Sequence, residues 1–361
     1  MKLSMRWFGH NDPVTLQDIA QVPGITGIVS GLYDVPAGDV WDAATLNDLK
    51  QRVEAAPGSQ GGFRLDVIES LPVHEEIKLG GPERNRYIDN YCESLRTIGE
   101  VGIPVVCYNF MPIFDWTRTN LAERLPDGST ALSYRHADVA TLDPLAGDTD
   151  LPGWAAAYTK QELRELFDRY SDVDESKLWD NLAYFLERVI PVAEASAVKM
   201  GIHPDDPPWS IFGLPRIITD KDALQRVINL VDSPANGLTF CTGSLGANPK
   251  NNLPQMVREF GRQGRIHFAH CRNIQIKEYR TFHESPHQTG SLDLYEVMKA
   301  YFEVGFHGAM RSDHGRMIWN DKGLPGYGLY DRALGSVYLS GLWEGIAREN
   351  GRVPRFEAVT I

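Results

Sequence analysis

The chain has 361 residues, 42% hydrophobic and 23% charged, enough for a substantial core in one or two units. Its net charge of −12, from 36 basic against 48 acidic residues, argues against a nucleic-acid backbone or an anionic membrane surface as main partner. The N-terminus MKLSMRWFGHND lacks the apolar core of a secretion signal, no stretch is apolar over the roughly 18 residues of a membrane span, and Cys92, Cys107, Cys241 and Cys271 show no CxxC spacing. A cytoplasmic location is expected, with the cysteines as free thiols or metal ligands.

In chain order, SMRWFG reads as a first strand, and Thr15 with Asp18 predicts a capping box for the helix after it. GITGIVSGL is a second strand, followed by a helix with Leu46, Leu49 and Val53 on one face. FRLDVIES is a third, its helix opening near Pro82 and Glu83, and IPVVCYNF is a fourth. Residues 111–174 then interrupt the pattern with the acidic DPLAGDTDLPG and a predicted helix, TKQELRELFDRYS. An insertion of that size after the fourth strand is either a lid over the catalytic end or an arm between subunits.

Beyond it come a helix through Leu178, Leu182, Phe185 and Val189, the strand AVKMGIH, and a helix with a predicted Thr219–Asp222 capping box. The strand GLTFC, a helix through Val257 and Phe260, and the strand RIHFAH follow. Ser291 is a candidate cap for the next helix, FHGAM is the last strand, and the last helix repeats Leu334, Tyr338, Leu342 and Ile346. Eight apolar strands alternating with helices predict an α/β fold, a single (β/α)8 TIM barrel over residues 1–361 with an insertion at about 111–174. No GxGxxG follows the first strand, so a dinucleotide site has no support.

In such barrels the reactive groups lie at the C-terminal strand ends. Strands five to eight end in His203, Cys241, His270 and Asp313, all metal-ligand residue types. One of these alone would read as core; four at equivalent places predict a metal centre. Two imidazoles, a thiolate and a carboxylate suit a divalent first-row ion such as Fe²⁺, Mn²⁺, Co²⁺ or Zn²⁺, and Mn²⁺ or Fe²⁺ is the expected occupant. His267 falls deeper in its strand and reads as packing, as does Cys271. Other strand ends offer Trp7, His10, Tyr33, Asp34, Glu69, His74 and Asn109. Arg216 and Arg311 suggest an anionic substrate, because guanidinium pairs bidentately with carboxylate or phosphate. His283 and His287, in HESPHQTG, read as rim or solvent-exposed residues.

Several long stretches resemble the mannonate dehydratase family of the UxuA type: MRWFGHNDPVTLQDIAQVPGITGIV, YDVPAGDVW, MGIHPDDPP, FCTGSLG, RIHFAHCRN and GRMIWNDKGLPGYGLYDRALG. The resemblance implies a xylose-isomerase-like barrel with His203, Cys241, His270 and Asp313 as ligands. It implies a hydro-lyase that removes water from D-mannonate to give 2-keto-3-deoxy-D-gluconate in hexuronate breakdown. Arg311, Asp313, His314 and Tyr327 are then the candidates for proton transfer and carboxylate positioning. Arg216, Asn109, Trp7 and Glu69 are candidates for holding substrate, and a homo-oligomer is expected.

Overall fold

A computed structural model describes residues 1–56, 62–139, 141, 142, 144, 145 and 158–352. Its strands are β1 (Lys2–Arg6), β2 (Gly27–Ser30), β3 (Arg64–Glu69), β4 (Val105–Tyr108), β5 (Asn120–Arg124), β6 (Thr130–Arg135), β7 (Lys199–Ile202), β8 (Asn236–Cys241), β9 (Ile266–His270), β10 (Asn273–Glu278), β11 (Thr281–Ser285) and β12 (Ala309–Arg311). Eight of them, β1, β2, β3, β4, β7, β8, β9 and β12, form a closed barrel in which β1 pairs in parallel with both β2 and β12. Val29, Val67, Cys107, Phe268 and Ala309 fill its interior, and a larger core packs the strands against the outer helices. Both strand faces are buried, hence the near-continuous apolar runs. No helix among the described residues is long and apolar enough to cross a membrane.

The remaining strands form an antiparallel sheet in the order β10-β11-β6-β5. The insertion supplies β5 and β6, and the segment after β9 supplies β10 and β11, so two distant stretches meet over the C-terminal rim. Tyr134, Trp209, Ile274 and Phe282 form a small core there. HESPHQTG is thus partly strand, and His283 and His287 are buried rather than exposed. The predicted insertion helix is present at Lys160–Tyr170, capped by Thr159 and Glu162, and Tyr170 donates to Glu75 at 2.5 Å. Residues 146–153 of the acidic segment lie outside the described residues.

Local chemistry shifts some boundaries. The Thr15–Asp18 capping box is present. The helix Lys221–Leu230 is instead capped by Asp220, which accepts from the Ala223 N–H, and Leu294–Glu303 is capped by Asp293. Ser291 serves β10, its hydroxyl accepting from the Ile276 N–H at 2.9 Å. In the last helix, Leu329–Glu349, Leu334 faces outward at 47% exposure although its spacing matched the buried stripe.

Candidate metal centre and active site

Strand register brings the rim residues together. Cys241 at the end of β8 pairs with His270 at the end of β9, and His270 pairs with Arg311 at the end of β12. His203 stands one residue past β7, its N–H donating to the Tyr108 carbonyl of β4 at 2.7 Å. Among the described residues, His203, Cys241 and His270 form a group whose donor atoms all lie within 4.8 Å of one another.

The donor atoms suit a metal ion. His203 Nδ1 donates to the Pro204 carbonyl at 2.7 Å, which leaves its Nε2 with a lone pair. His270 Nδ1 is buried with no hydrogen-bond partner. The opposite nitrogen of that ring, Nε2, accepts from Arg311 Nε at 3.1 Å and lies 3.5 Å from Glu69 Oε1. Cys241 Sγ accepts from the Ser244 N–H at 3.5 Å and its hydroxyl at 3.1 Å. An orphaned imidazole nitrogen facing such a sulfur matches a divalent first-row ion.

Asp313 borders this group. Its Oδ2 is 3.7 Å from both Cys241 Sγ and His270 Nδ1, and its φ of 58° is sparsely populated by residues other than glycine. Arg311 and Arg272 pair with it at 2.6 and 2.9 Å. Burial opposes its ionisation, but the guanidinium of Arg311, the neighbouring rings of His314 and His270 and the guanidinium of Arg272 hold its carboxyl well below the usual range.

Beside Asp313, His314 Nε2 lies 2.8 Å from the Tyr327 hydroxyl and Nδ1 lies 3.3 Å from Glu284 Oε1. Burial raises the Glu284 pKa, yet Arg272, His314 and Arg118 bring it down to about 2. Ionised Glu284 can only accept, so Nδ1 carries the proton and Nε2 accepts from the phenol. Burial pushes the Tyr327 phenol up, so it keeps its proton at neutral pH. Trp116 meets the His314 ring at 5.0 Å between centroids, and Asn109 and Asp115 also line the cavity.

The other expected residues divide. Glu69 lies in the cavity wall, where Arg311 Nη2 and Arg6 Nη1 donate to Oε1 at 2.8 and 3.1 Å. Trp7 is directed to a neighbouring cavity with Tyr33 and Asp34. Arg216 does not line the site cavity. Its Nη2 donates to the Phe114 and Asp115 carbonyls at 2.8 and 3.2 Å, fixing the turn that delivers Asp115 and Trp116. His74 caps the helix Glu75–Leu79 and stacks on Tyr87 at 3.6 Å. His267 donates to the Met200 carbonyl at 2.9 Å, deep in the barrel.

A buried four-membered charge network escaped the sequence reading. Arg118 holds Asp206 bidentately at 2.8 and 2.9 Å and reaches Glu284 at 2.9 Å. Arg272 spans the same two carboxylates at 2.6 and 2.5 Å. Asp206 and Arg272 follow the candidate ligands His203 and His270 by a few residues, the one signal available. Glu284 comes from β11 of the covering sheet and Arg118 from the segment leading into β5, and the sequence does not announce that sheet's pairing.

Comparison with known proteins agrees with this geometry. The family model described as D-mannonate dehydratase (UxuA) matches residues 1–352. Mannonate dehydratase 2 of Halalkalibacterium halodurans is 53% identical over 349 residues, covering 96% of this chain and 100% of its own. The crystal structure of mannonate dehydratase from Streptococcus suis serotype 2 superposes with a TM-score of 0.92 at 46% identity, covering 100% of this chain and 99% of that one. A xylose isomerase domain protein from Planctomyces limnophilus, at 12% identity and a TM-score of 0.55, covers 96% of this chain and 98% of its own and shares the fold alone. With eight parallel strands closed into a barrel, a rim set of two imidazoles and a thiolate, and a match along nearly its whole length, this chain belongs to the D-mannonate dehydratase (UxuA) family of hydro-lyases.

Proposed function

We propose that this chain dehydrates D-mannonate to 2-keto-3-deoxy-D-gluconate in hexuronate catabolism, in the cytoplasm. The observation that carries the reading is that the hydrogen-bonded pair His314–Tyr327 opens on the same cavity as His203 and the paired Arg311 and Asp313. Elimination needs one proton taken from C2 and one delivered to the hydroxyl leaving C3. His314 is the base at C2, with Glu284 fixing the tautomer that leaves Nε2 free to accept. Tyr327 is the acid, because its phenol is buried and protonated. The 2.8 Å hydrogen bond returns the abstracted proton to the phenol, so the water that leaves balances the cycle.

His203, Cys241 and His270, with Asp313 beside them, are the residues that would hold a divalent ion, Mn²⁺ or Fe²⁺. Bound there, the ion supplies Lewis-acid stabilisation of the negative charge that develops on the substrate as C2 loses its proton. Arg311 and Arg6 add fixed positive charge at the carboxylate end, and Glu69 and Asn109 are placed to accept from or orient sugar hydroxyls. Arg216 acts as a positioning residue for Asp115 and Trp116, and Trp7 packs the adjoining wall. The test is incubation with D-mannonate and Mn²⁺ under anaerobic conditions, assayed for a 2-keto-3-deoxy acid. Product is expected; its absence, or an epimerised aldonate instead, refutes the reading.

A further inference from the structure

Two cavities at the rim share a wall and differ in size. The one walled by His203, Asp313, His314 and Tyr327 measures about 30 Å³, room for about two waters at roughly 10–15 Å³ each. A neighbour of about 380 Å³ opens beside it, and Ser70, Asn109 and Asp115 line both. Among the described residues, the cavity lined by Trp7 and Tyr33 shares no lining residue with the first. Elimination across C2 and C3 sets the carboxylate end of an aldonate against Arg311, Asp313 and His314. The chain from C4 onward then has to leave past Ser70, Asn109 and Asp115.

Buried charges hold the wall of the larger cavity. Lys78 and Glu75, each 6% exposed, pair at 2.7 Å. Lys78 Nζ also donates to the Met111 carbonyl at 2.8 Å, and Glu75 Oε2 accepts from the Ile113 N–H at 3.2 Å and the Tyr170 hydroxyl at 2.5 Å. Both ions thus fix the turn at 111–113, where Ile113 has φ 59°, a region that a β-branched residue occupies only under strain. Met111 and Ile113 line the cavity. Strain of this kind persists where the surroundings enforce it, and it collects at binding sites. The lining also selects by charge. Asp34 and Asp115 contribute carboxylates, and the Lys78 ammonium is already engaged by Glu75 and a carbonyl. Burial lowers the His74 pKa, so its ring adds no charge at neutral pH.

We propose that the larger cavity takes the end of the substrate remote from the carboxylate, and that its room admits aldonates with further uncharged carbons beyond C6. The proposal rests on the dehydratase reading of the adjoining site. The hydroxymethylene units of C4–C6, each about the size of a water at ~30 Å³, leave most of a 380 Å³ cavity open to a longer chain. Ser70, Asn109 and Tyr158 offer partners to hydroxyls, and Val73, Met111 and Ile113 offer apolar surface to the C–H faces between them. A charged end, such as the second carboxylate of an aldarate, meets Asp34 and Asp115 rather than a cation and is excluded. The chemistry at C2 and C3 is unchanged: C2 loses its proton, water leaves C3, and a seven-carbon aldonate gives a seven-carbon 2-keto-3-deoxy acid.

Steady-state kinetics on the metal-replete full chain test this, with D-mannonate, its seven-carbon homologue of the same configuration at C2–C5, and D-mannarate. The homologue should be dehydrated with kcat/KM less than about tenfold below that of D-mannonate, where a pocket closed at C6 would cost it about 10–200-fold. D-mannarate should fall about hundredfold, because its far carboxylate is buried without a cation. Ala37→Trp, at the exposed outer edge of the lining, should lower kcat/KM for the homologue about tenfold and leave D-mannonate unchanged. No turnover of D-mannonate overturns the dehydratase reading and this proposal with it. Three results overturn this proposal alone while D-mannonate is turned over: a homologue at about a tenth of its kcat/KM or less, D-mannarate used as well as D-mannonate, or an Ala37→Trp variant that treats both aldonates alike.

Discussion

Replacing Tyr327 with phenylalanine removes one oxygen and little else. The ring keeps its edge contact with Phe8, 4.7 Å between centroids, and its buried position. The lost hydrogen bond to His314 Nε2 is worth about 1 kcal/mol of stability, so the fold persists. Catalysis should suffer far more. A positioned general acid contributes about 10²–10⁴ in rate, which at about 1.4 kcal/mol per tenfold is ~3–5 kcal/mol of transition-state stabilisation. Because the phenol works on the leaving hydroxyl in the transition state, kcat should fall by that factor while KM stays within a few-fold. The assay is steady-state formation of the 2-keto-3-deoxy acid from D-mannonate, with metal content measured in parallel. A variant that keeps its metal and turns over within threefold of wild type refutes the acid role. A rise confined to KM would make Tyr327 a binding group only.

Three other outcomes follow from the same contacts. Asp206→Asn leaves Arg118 and Arg272 short of a buried carboxylate, and breaking a buried pair costs about 3–5 kcal/mol; a urea midpoint implying under 1 kcal/mol would contradict the network's role. Burial lowers the His267 pKa to about 4, against about 6.5 when unfolded. The fold therefore favours the neutral ring: its contribution is complete above pH 6.5 and is lost between pH 6.5 and 4, amounting to ~3 kcal/mol at 1.36 kcal/mol per unit. The wild type should lose that much relative to His267→Gln over this range, and a pH-independent difference between the two would show the ring to be untroubled by charge. Glu284→Gln should lower kcat with little effect on KM, since the amide can donate to Nδ1 and favour the wrong tautomer of His314; unchanged turnover would remove Glu284 from the proton path.

The barrel was legible because each of its strands is buried on both faces, which leaves apolar runs that no other arrangement explains as simply. The cluster of His203, Cys241 and His270 was legible for the same reason, since strand ends can be counted once the strands are found, and Asp313 stands beside it. The covering sheet was not. The β10–β11 hairpin turns through Tyr279 and Arg280, the latter at φ 56°, with no Asn-Gly signal, and β6 pairs with β11 across more than a hundred residues. Glu284 reaches the site through that pairing and Arg118 from the segment leading into β5, so their role followed them out of view. Leu334 misled for a different reason. Helical spacing says that a residue shares an apolar face, not which neighbour covers it. Trp7 and Arg216 have the chemistry of ligand contacts, but loop geometry directs one into the next cavity and ties the other to backbone carbonyls.

The central claim is that an ion held by His203, Cys241 and His270 and the proton pair His314–Tyr327 serve one elimination at the barrel rim. Stepwise addition of Mn²⁺ to metal-stripped protein, following D-mannonate turnover at each step, tests it most directly. Activity should rise in proportion to added metal and saturate at one ion per chain, and Cys241→Ser should need far more Mn²⁺ to reach any plateau. Turnover that persists without metal, or a Cys241→Ser curve that overlays the wild type, would contradict the account.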